Sequence, residues 1–578
     1  MNSGKKFSKG FLPILLALVA MLLVACEGGG GISHVTPTAA PAKATPAQQL
    51  LNLPLPVSDI PTFDPGQASD QASIDAISTV FTGMVQLNDQ LQVTSQMAST
   101  WTSSSDGLTW TFTLKAGLKF SDSTPITSAD IVYSIDRTLS PQISNLSGQA
   151  LTYLGLIKDS EKRSAGKIPS LINDSLLTPD ANTVVIKLNK ATAYFLQALA
   201  YPTSYVVEKK VITRWGLKWT DHLADNGGQG GAGPFVVSSY DHTKGIDLLP
   251  DPNYYGPRPH LKKLRFLFYK SPTAQYEAYQ AGQLDETAIP SANYAKASTR
   301  SDFSKNLEPI IFYYTMNYLT KPFDNIHIRQ AFELALNKDV LAQTVYQGRM
   351  IPTCHIVPSG MPGYNANLQC PGGAPTSGDA AQARTLFNQG LQEEGLTLAT
   401  LPPLKITYPK GNPDQENEIR ATRQMWQKVL GINVQPDPID FNLLLIDMEN
   451  TFNSARGLQM WAIAWIPDYP DPRDWTTVQF GKGSPYNSSN YGQNNSSNAA
   501  QQQQVQKQLE QADVNTDVNA RLQMYHQAEQ QLVNDVAWLP MFQSYAARLL
   551  KPYVVGRVYN DLGLVPPDDW ANAYIALH

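Results

Sequence analysis

Residues 106–115 read Asp-Gly-Leu-Thr-Trp-Thr-Phe-Thr-Leu-Lys and contain two structural signals. The Asp106-Gly107 pair favours a tight turn between strands. After it, Trp110, Phe112 and Leu114 alternate with threonine and lysine, and a period of two is typical of a half-buried strand. We therefore predict a turn followed by a β-strand in this segment.

Helical patterns flank the predicted strand on both sides. Upstream, an amphipathic helix is predicted over roughly 71–87, because apolar side chains recur there at helical spacing: Ile74, Ile77, Phe81, Met84 and Val85. Downstream, residues 127–130 (Thr-Ser-Ala-Asp) resemble a capping box. This box predicts a helix that runs through Ile131, Ile135 and Leu139.

The remainder of the chain interleaves strand and helix patterns around a glycine-rich break at 227–233. The predicted strands are 235–237, 264–269, 404–408, 432–436 and 459–464. The predicted helices are 325–346, 379–391, 413–429 and 519–534. A polar Asn/Gln/Ser tract at 487–504 predicts a solvated loop that runs into a helix. This mixture predicts an α/β or α+β protein with more than one domain, and the lack of a 20–50-residue repeat argues against a solenoid or propeller.

The N-terminus has the pattern of a secretory signal. Three lysines at positions 5, 6 and 9 precede an uncharged, largely apolar run from 11 to 25, which is short for a membrane span. The run ends in Leu23-Val24-Ala25-Cys26, which resembles the lipobox of bacterial lipoproteins. That resemblance implies cleavage before Cys26 and acylation of this cysteine. The alternatives are an ordinary signal peptide with a chance cysteine, or a short anchor helix.

Composition supports a protein that acts outside the cell. Residues 26–50 are rich in Gly, Thr, Ala and Pro, so we predict a flexible tether there. Loss of residues 1–25 removes three lysines and no acid, which moves the net charge from −5 to −8. The chain has no basic patch that would suggest nucleic acid. Aromatic residues make up 10%, which suits the enclosure of small polar ligands but is also common in secreted enzymes.

Two cysteines remain after Cys26, and both lie in one Pro/Gly-rich segment. An extracytoplasmic location favours a disulfide between Cys354 and Cys370. The alternative is a metal site that uses His355 beside Cys354, but a fourth ligand is not evident nearby. We therefore expect a disulfide, no metal and no cofactor.

Enzyme signatures do not support catalysis. The sequence lacks a G-x-S-x-G elbow, an H-E-x-x-H motif and a P-loop. Residues 164–167 match S-x-x-K, but the partner motifs S-D-N and K-T-G are missing. We therefore expect a binding protein, with an anchored hydrolase as the alternative from another class.

A series of motifs then resembles family 5 of the extracellular solute-binding proteins, which serve the oligopeptide, dipeptide and nickel ABC importers. They follow the family order over nearly the whole mature chain: 62–65, 81–85, 106–115, 120–122, 129–134, 231–235, 253–256, 281–285, 317 with 322–323, 328–331, 430–434, 465–472, 540–543 and 551–556. The sequence departs from the family at Ser121 and at Ser123-Thr124. Both departures lie in a predicted surface turn.

The resemblance implies a two-lobed periplasmic-binding-protein fold with a hinge (type II, cluster C) and an extra third domain. On this basis we predict a signal peptide at 1–25, a tether at 26–50 and an extra domain at 87–228. The first lobe would be discontinuous (51–86, 229–318 and 536–578), and the second lobe would span 319–535.

The same resemblance implies ligand-binding residues. In peptide binders of the family, the acid of a W-x-x-D motif holds the peptide ammonium, which predicts this role for Asp468; taken alone, its surroundings favour a turn aspartate. Trp465 would line a side-chain pocket, and the backbone of Ala464 and Ile466 would pair with the peptide. Lys410 is the candidate for the carboxylate end, although an exposed loop lysine is an equal interpretation.

The expected partners are a peptide and the permease of an ABC importer, with the protein a lipid-anchored monomer. An oligosaccharide or nickel ligand is the alternative within the same fold, because fold resemblance alone does not fix the ligand.

Overall fold

The computed structural model describes residues 41–147 and 149–578, and Lys43–His578 forms one compact unit. The predicted signal peptide, Cys26 and the tether up to residue 40 lie outside the described residues. Lys43 forms a β-bridge with Ala576, and the side chain of Gln49 exchanges two 2.9 Å hydrogen bonds with the backbone of Ile575. The predicted tether is therefore too long at its end, because residues from Lys43 onward belong to the folded body.

The described β-strands are β1 (Leu50–Leu55), β2 (Val85–Leu87), β3 (Val93–Ser95), β4 (Ala98–Ser103), β5 (Thr109–Leu114), β6 (Leu176–Asp180), β7 (Thr183–Lys187), β8 (Phe235–Asp241), β9 (Gly245–Pro250), β10 (Lys263–Phe268), β11 (Glu286–Ala288), β12 (Phe303–Met316), β13 (Met350–Pro352), β14 (Leu404–Pro409), β15 (Val434–Ile439), β16 (Met460–Trp465), β17 (Leu539–Leu550), β18 (Val554–Val555) and β19 (Tyr574–Ile575).

The described α-helices are α1 (Gln71–Val80), α2 (Ser128–Thr138), α3 (Pro141–Ser147), α4 (Gln149–Leu154), α5 (Ser160–Ser164), α6 (Phe195–Leu199), α7 (Lys209–Trp215), α8 (Pro272–Gln280), α9 (Tyr294–Ala297), α10 (Ile326–Leu334), α11 (Lys338–Thr344), α12 (Ala380–Glu393), α13 (Pro413–Leu430), α14 (Phe441–Thr451), α15 (Pro472–Trp475), α16 (Thr477–Phe480), α17 (Ala499–Val514) and α18 (Val518–Asn534).

Three larger sheets organise these strands. Sheet A has the order β1-β10-β9-β8, and sheet B has the order β4-β5-β7-β6. Sheet C has the order β11-β17-β12-β16-β14-β15, with β13 paired to β17. The mixture of parallel and antiparallel pairs in sheets A and C, together with helices between the strands, makes the fold mixed α/β. The division into two lobes and an extra domain remains a prediction.

Two long antiparallel strands of sheet C connect separate apolar cores. At one end Phe303 of β12 pairs with Leu549 of β17, beside a small cluster that contains Tyr279 and Leu284. At the other end the two strands enter a larger core that contains Phe542. Between these ends the register of the pair shifts, and such irregularities re-aim strands locally.

Local sequence explains where several elements begin. The strand predicted after Asp106-Gly107 is β5, in which Phe112 and Leu114 are buried. The helix predicted after Thr127 is α2, and the capping box between Thr127 and Asp130 is formed.

The helix predicted over 71–87 is shorter than expected. It ends at Val80, because the carbonyl of Val80 accepts hydrogen bonds from the N–H groups of Ala232 and Gly233 at 3.1 and 2.8 Å. A side chain at Gly233 would collide with the backbone around Val80, so glycine is required for this close approach. Phe81 is extended, and Val85 begins β2.

The prediction of a solvated loop at 487–504 is wrong for the first part of this tract, because Asn487 and Asn490 are fully buried. The amide of Asn490 donates to the side chain of Asn317 at 2.9 Å and to the carbonyl of Thr451 at 3.0 Å. Buried amides are tolerated when their hydrogen bonds are satisfied, which composition does not reveal.

The predicted helix at 325–346 is likewise two helices, α10 and α11, and Asn337 caps the second. Within residues 41–147 and 149–578, none of the helices combines the length and the apolar character needed to cross a bilayer.

Candidate ligand-binding site

A cavity of about 760 Å³ lies where β12 and β17 change register. Its wall is built from β1, α1 with the turn before it, β12, the segment after β16, β17 and the C-terminal segment. These contribute residues from the ranges 53–56, 69–78, 306–310, 466–468, 546–548 and 557–570, together with Tyr153 and Tyr201. A cavity of this size can enclose a small-molecule or peptide ligand.

Asp468 lies in this wall, three residues after the end of β16. Its backbone N–H donates to Oδ2 of Asp474 at 3.2 Å. Among the described residues, no cationic side chain comes within 4 Å of its carboxylate. Burial raises the pKa of Asp468 to about 6. The carboxylate is therefore available to a cation that a ligand brings.

Trp465, predicted to line a pocket, is not among the described lining residues; it precedes the wall residue Ile466. Its side chain is bound by Asp474, the acid that also binds the Asp468 backbone. Its Nε1–H donates to Oδ2 of Asp474 at 2.8 Å, and its ring packs edge-to-face on Tyr486 with centroids 5.6 Å apart. Asp474 is fully buried, and its other oxygen has no hydrogen-bond partner among the described residues. Burial, with the charge of Asp468 adding to it, raises the pKa of Asp474 well above its ordinary value. Asp474 therefore fixes both Trp465 and the backbone at Asp468.

Two stacked tyrosines stand next to Asp468. The rings of Tyr153 and Tyr201 are 3.5 Å apart at an angle of 7°. Burial and the charge of Asp468 raise the pKa of both hydroxyl groups, and Asp70 also acts on Tyr201. We call Asp70, Tyr153, Tyr201 and Asp468 the acidic–aromatic corner. Carboxylates beside aromatic faces suit an ammonium group.

The two residues that flank Trp465 lie in different environments. Ala464 pairs with Phe312 of β12, so one side of its backbone is occupied within sheet C. Ile466 follows the last paired residue of β16, is 62% exposed and lines the cavity. Of the two predicted backbone contacts, Ile466 is the one placed at the cavity wall.

Lys410 lies away from this wall. It is exposed directly after β14, and its backbone N–H donates to the carbonyl of Ile439 at 2.8 Å. The described lining residues do not include it, whereas Arg548 and Arg557 do line the cavity. The cations nearest to a bound ligand are thus arginines far from Lys410 in sequence.

Asp471 has a structural role. Its side chain caps α15 and accepts hydrogen bonds from Arg521 at 2.8 and 2.6 Å. Asp471 and Arg521 are both buried, so each neutralises the other. Asp471 is therefore not free for a ligand.

Cys354 and Cys370, predicted to be joined, form a disulfide with Cα atoms 5.4 Å apart. His355 contacts the Tyr364 hydroxyl at 3.3 Å, and burial lowers its pKa to about 4. The described part of the chain contains no group of three or more His, Cys, Asp or Glu side chains arranged to hold a metal ion. The sulfur that the alternative metal site needed is already used in the disulfide.

The family described as "Bacterial extracellular solute-binding proteins, family 5 Middle" matches residues 92–487, more than half of the chain. The chain belongs to this family. The resemblance seen in the sequence motifs is confirmed.

Family 5 relatives cover most of this chain. The oligopeptide-binding protein OppA of Bacillus subtilis is 26% identical over 536 residues, which are 91% of this chain and 93% of the relative. The dipeptide-binding protein DppE of the same organism is 24% identical over 508 residues, which are 87% and 88% of the two chains.

Solved structures share the fold of this family member. The periplasmic murein tripeptide-binding protein MppA, in its unliganded open form, has a TM-score of 0.77 at 24% identity and covers 93% of this chain and 99% of its own. OppA of Haemophilus influenzae, in complex with the peptide RPPGFSPFR, has a TM-score of 0.64 at 22% identity and covers 92% and 99%. The predicted mixed α/β, multidomain periplasmic-binding-protein fold is confirmed.

Sequence reasoning missed several wall residues of this family 5 protein. Tyr153, Tyr201 and Arg548 lie in segments without a distinctive local pattern, and Arg557 directly follows the motif at 551–556 without being part of it. The only signal was general, namely an aromatic content of 10% in a chain expected outside the cell.

Proposed function

We propose that this protein captures peptides outside the cell and delivers them to the permease of an ABC importer. The observation that carries the proposal is the Asp468 carboxylate, which lies in the cavity wall without a cationic partner among the described residues. The α-ammonium of a peptide supplies that partner, and a buried charge is tolerated only when it is paired. The names of OppA and DppE, an oligopeptide- and a dipeptide-binding protein, support this ligand class.

The remaining contacts follow from the cavity wall. The Tyr153–Tyr201 stack in the wall, and Trp465, which precedes the wall residue Ile466, would offer aromatic faces to side chains. The exposed backbone at Ile466 would pair with the peptide main chain. Main-chain pairing is independent of side-chain identity, so it allows many peptides to bind. Closure about β12 and β17 would bury the ligand and present a different outer surface to the permease.

Other ligands fit the cavity less well. An oligosaccharide needs aromatic and amide groups but gains nothing from a buried carboxylate such as Asp468. A nickel carrier needs a cluster of metal ligands, and the described residues do not provide one. The anchored hydrolase has no catalytic motif to support it. We therefore propose binding without turnover.

The tethering of the protein is part of the proposal. We expect Cys26 to carry lipid, residues 1–25 to be absent from the mature monomer, and the diacylated cysteine to supply two anchoring chains. The intact mass of detergent-extracted protein checks this expectation. An unmodified Cys26 or a retained N-terminus would contradict it.

Ligand identity can be tested directly. Native mass spectrometry of protein purified from its own cells should reveal co-purified peptide. Incubation with a peptide pool should then deplete one equivalent and return it unchanged after denaturation. Turnover beyond one equivalent would favour the hydrolase, and binding of oligosaccharides or nickel instead of peptides would overturn the proposal.

A further inference from the structure

Two guanidinium groups lie in the cavity wall, Arg548 on β17 and Arg557 in the C-terminal segment. Both contact Glu286 of β11: Nη1 of Arg557 is 2.7 Å from Oε2, and Nη1 of Arg548 is 3.6 Å from Oε1. The Tyr559 hydroxyl donates to the same carboxylate at 2.6 Å. Glu308 also lies in the wall and acts on Arg548, but its carboxylate accepts a hydrogen bond from the Ser544 hydroxyl and makes no ion pair within 4 Å among the described residues. Within ion-pair distance, the two guanidinium groups therefore share one carboxylate, that of Glu286.

Asp75 of α1 is another acid in this part of the wall. It accepts a hydrogen bond from Gln71 at 2.8 Å and makes no ion pair within 4 Å among the described residues. Burial raises its pKa to about 7, against the opposing effect of Arg557 and Arg548. Asp75 is therefore protonated more readily than an ordinary aspartate, and it is not an ion-pair partner of either arginine.

Arg557 also has an unused donor. Its side chain is 6% exposed, and its Nε–H has no hydrogen-bond partner among the described residues. Its guanidinium lies 4.3 Å from the ring centre of Tyr559 and 5.8 Å from that of Trp570. A buried donor without a partner is unfavourable, so a ligand acceptor at this place would relieve the cost. The planar guanidinium fork matches a carboxylate in particular.

We propose that Arg548 and Arg557 hold the C-terminal carboxylate of the bound peptide. This inference rests on the proposed function and specifies its ligand as a linear peptide with both ends free. Asp468 takes the ammonium end, and the arginine pair takes the other end. Lys410, the earlier candidate, does not belong to the described lining residues. A ligand fixed at both ends is selected by its length.

Calorimetry on the full chain tests this assignment. Tri-, tetra- and penta-alanine identify the preferred length, and that peptide is then compared as the free acid, the C-terminal amide and the N-acetyl form. Wild-type protein should bind the acid about ten- to one-hundredfold more tightly than the amide, as expected for loss of a charge-assisted pair. In Arg557→Gln and Arg548→Gln the acid-to-amide ratio should fall towards one. Arg557→Lys should keep part of the preference for the acid, because lysine retains the positive charge but lacks the planar guanidinium fork.

Arg265→Gln is the matched control, since Arg265 pairs with Asp247 at 3.1 Å outside the wall, and it should keep the wild-type ratio. The ratio compares two ligands on the same protein, so partial unfolding of a variant does not alter it. Equal binding of acid and amide by wild type, or an unchanged ratio in both glutamine variants, overturns the assignment. If acetylation still weakens binding, the proposed function stands; if no form binds, both fail.

Discussion

Trp465 and Asp468 share one buried acceptor. Oδ2 of Asp474 accepts the indole N–H of Trp465 at 2.8 Å and the backbone N–H of Asp468 at 3.2 Å. Asp474 itself has no exposed surface. A single buried carboxyl therefore sets the orientation of the Trp465 indole and the position of the proposed ammonium partner.

Replacement of this acceptor should loosen both groups. Asp474→Ala leaves two donors without their acceptor, and we expect the free energy of unfolding to fall by about 1–3 kcal/mol. Asp474→Asn retains a carbonyl oxygen as acceptor, so its free energy of unfolding should fall less. Peptide affinity should fall further in the alanine variant. Urea unfolding and calorimetry measure both effects, and equal losses in the two variants would contradict this role.

The pH dependence of stability gives a second readout for Asp474. Its folded-state pKa is raised, so the folded protein binds a proton more tightly than the unfolded chain. The wild type should thus lose stability as pH rises above the ordinary aspartate pKa. The Asp474→Asn variant cannot ionise at this position, so its free energy of unfolding should fall less between pH 5 and pH 8. Parallel losses in both proteins would mean that another group controls this range.

Substitution of Asp468 should remove recognition of the ammonium. Loss of one partner from a buried ion pair leaves the other charge unpaired, so Asp468→Asn should weaken binding of free peptides by about two to three orders of magnitude. N-acetylated peptides should bind poorly to wild type and change little with the substitution. Calorimetry on the four combinations separates the effects, with Asp106→Asn in the exposed turn as control. If the affinities for both ligands fall equally, Asp468 only stabilises a turn and does not bind the ammonium.

Peptide affinity should fall in acid. An ammonium needs the ionised form of Asp468, whose pKa is about 6, so affinity should be about tenfold lower at pH 5 than at neutral pH. The neighbouring Tyr153, Tyr201 and Tyr486 remain neutral because burial raises their pKa, and Asp474 keeps its proton. Asp468→Asn should flatten this profile. A slope that survives in the variant would exclude Asp468 as its source.

Removal of the disulfide should destabilise the protein. The two cysteines are 16 residues apart, and the chain-entropy model assigns about 3 kcal/mol to a loop of that size. The double variant Cys354→Ser/Cys370→Ser should lose stability of this order in urea. Alkylation of wild-type protein without reductant should leave both cysteines unlabelled, and free labelling under oxidising conditions would contradict the bond.

Local patterns predicted elements whose boundaries are set locally. The alternation around Phe112 gave the correct strand, and the capping box at Thr127 gave the correct helix start. The end of α1 could not be predicted, because the groups that bind the carbonyl of Val80 are at 232 and 233, about 150 residues later in the chain. Phe81 and Val85 are buried in extended backbone, which mimicked a helical pattern.

The ligand site could be predicted from the sequence only in part, for the same reason. Asp468 was identified through its motif, which is contiguous in sequence. Tyr153 and Tyr201 come from α4 and from the segment after α6, and Arg548 comes from the end of a long strand. Their convergence on one cavity is a property of the tertiary fold. The sequence around Lys410 predicted a contact with the peptide carboxylate, but Lys410 does not lie in the cavity wall.

The hydrogen bonds between Gln49 and Ile575 have a mechanical consequence. Ala44 donates to the carbonyl of Ile575 at 2.9 Å, and the amide of Gln49 donates to the same oxygen, so the first folded residues are fastened to the last strand. Tension applied to the chain before Lys43 is passed to the carboxyl-terminal strand before it reaches the ligand cavity. A load on Lys43 is therefore shared by both ends of the folded chain, ahead of the cavity residues of β1 that begin at Leu53.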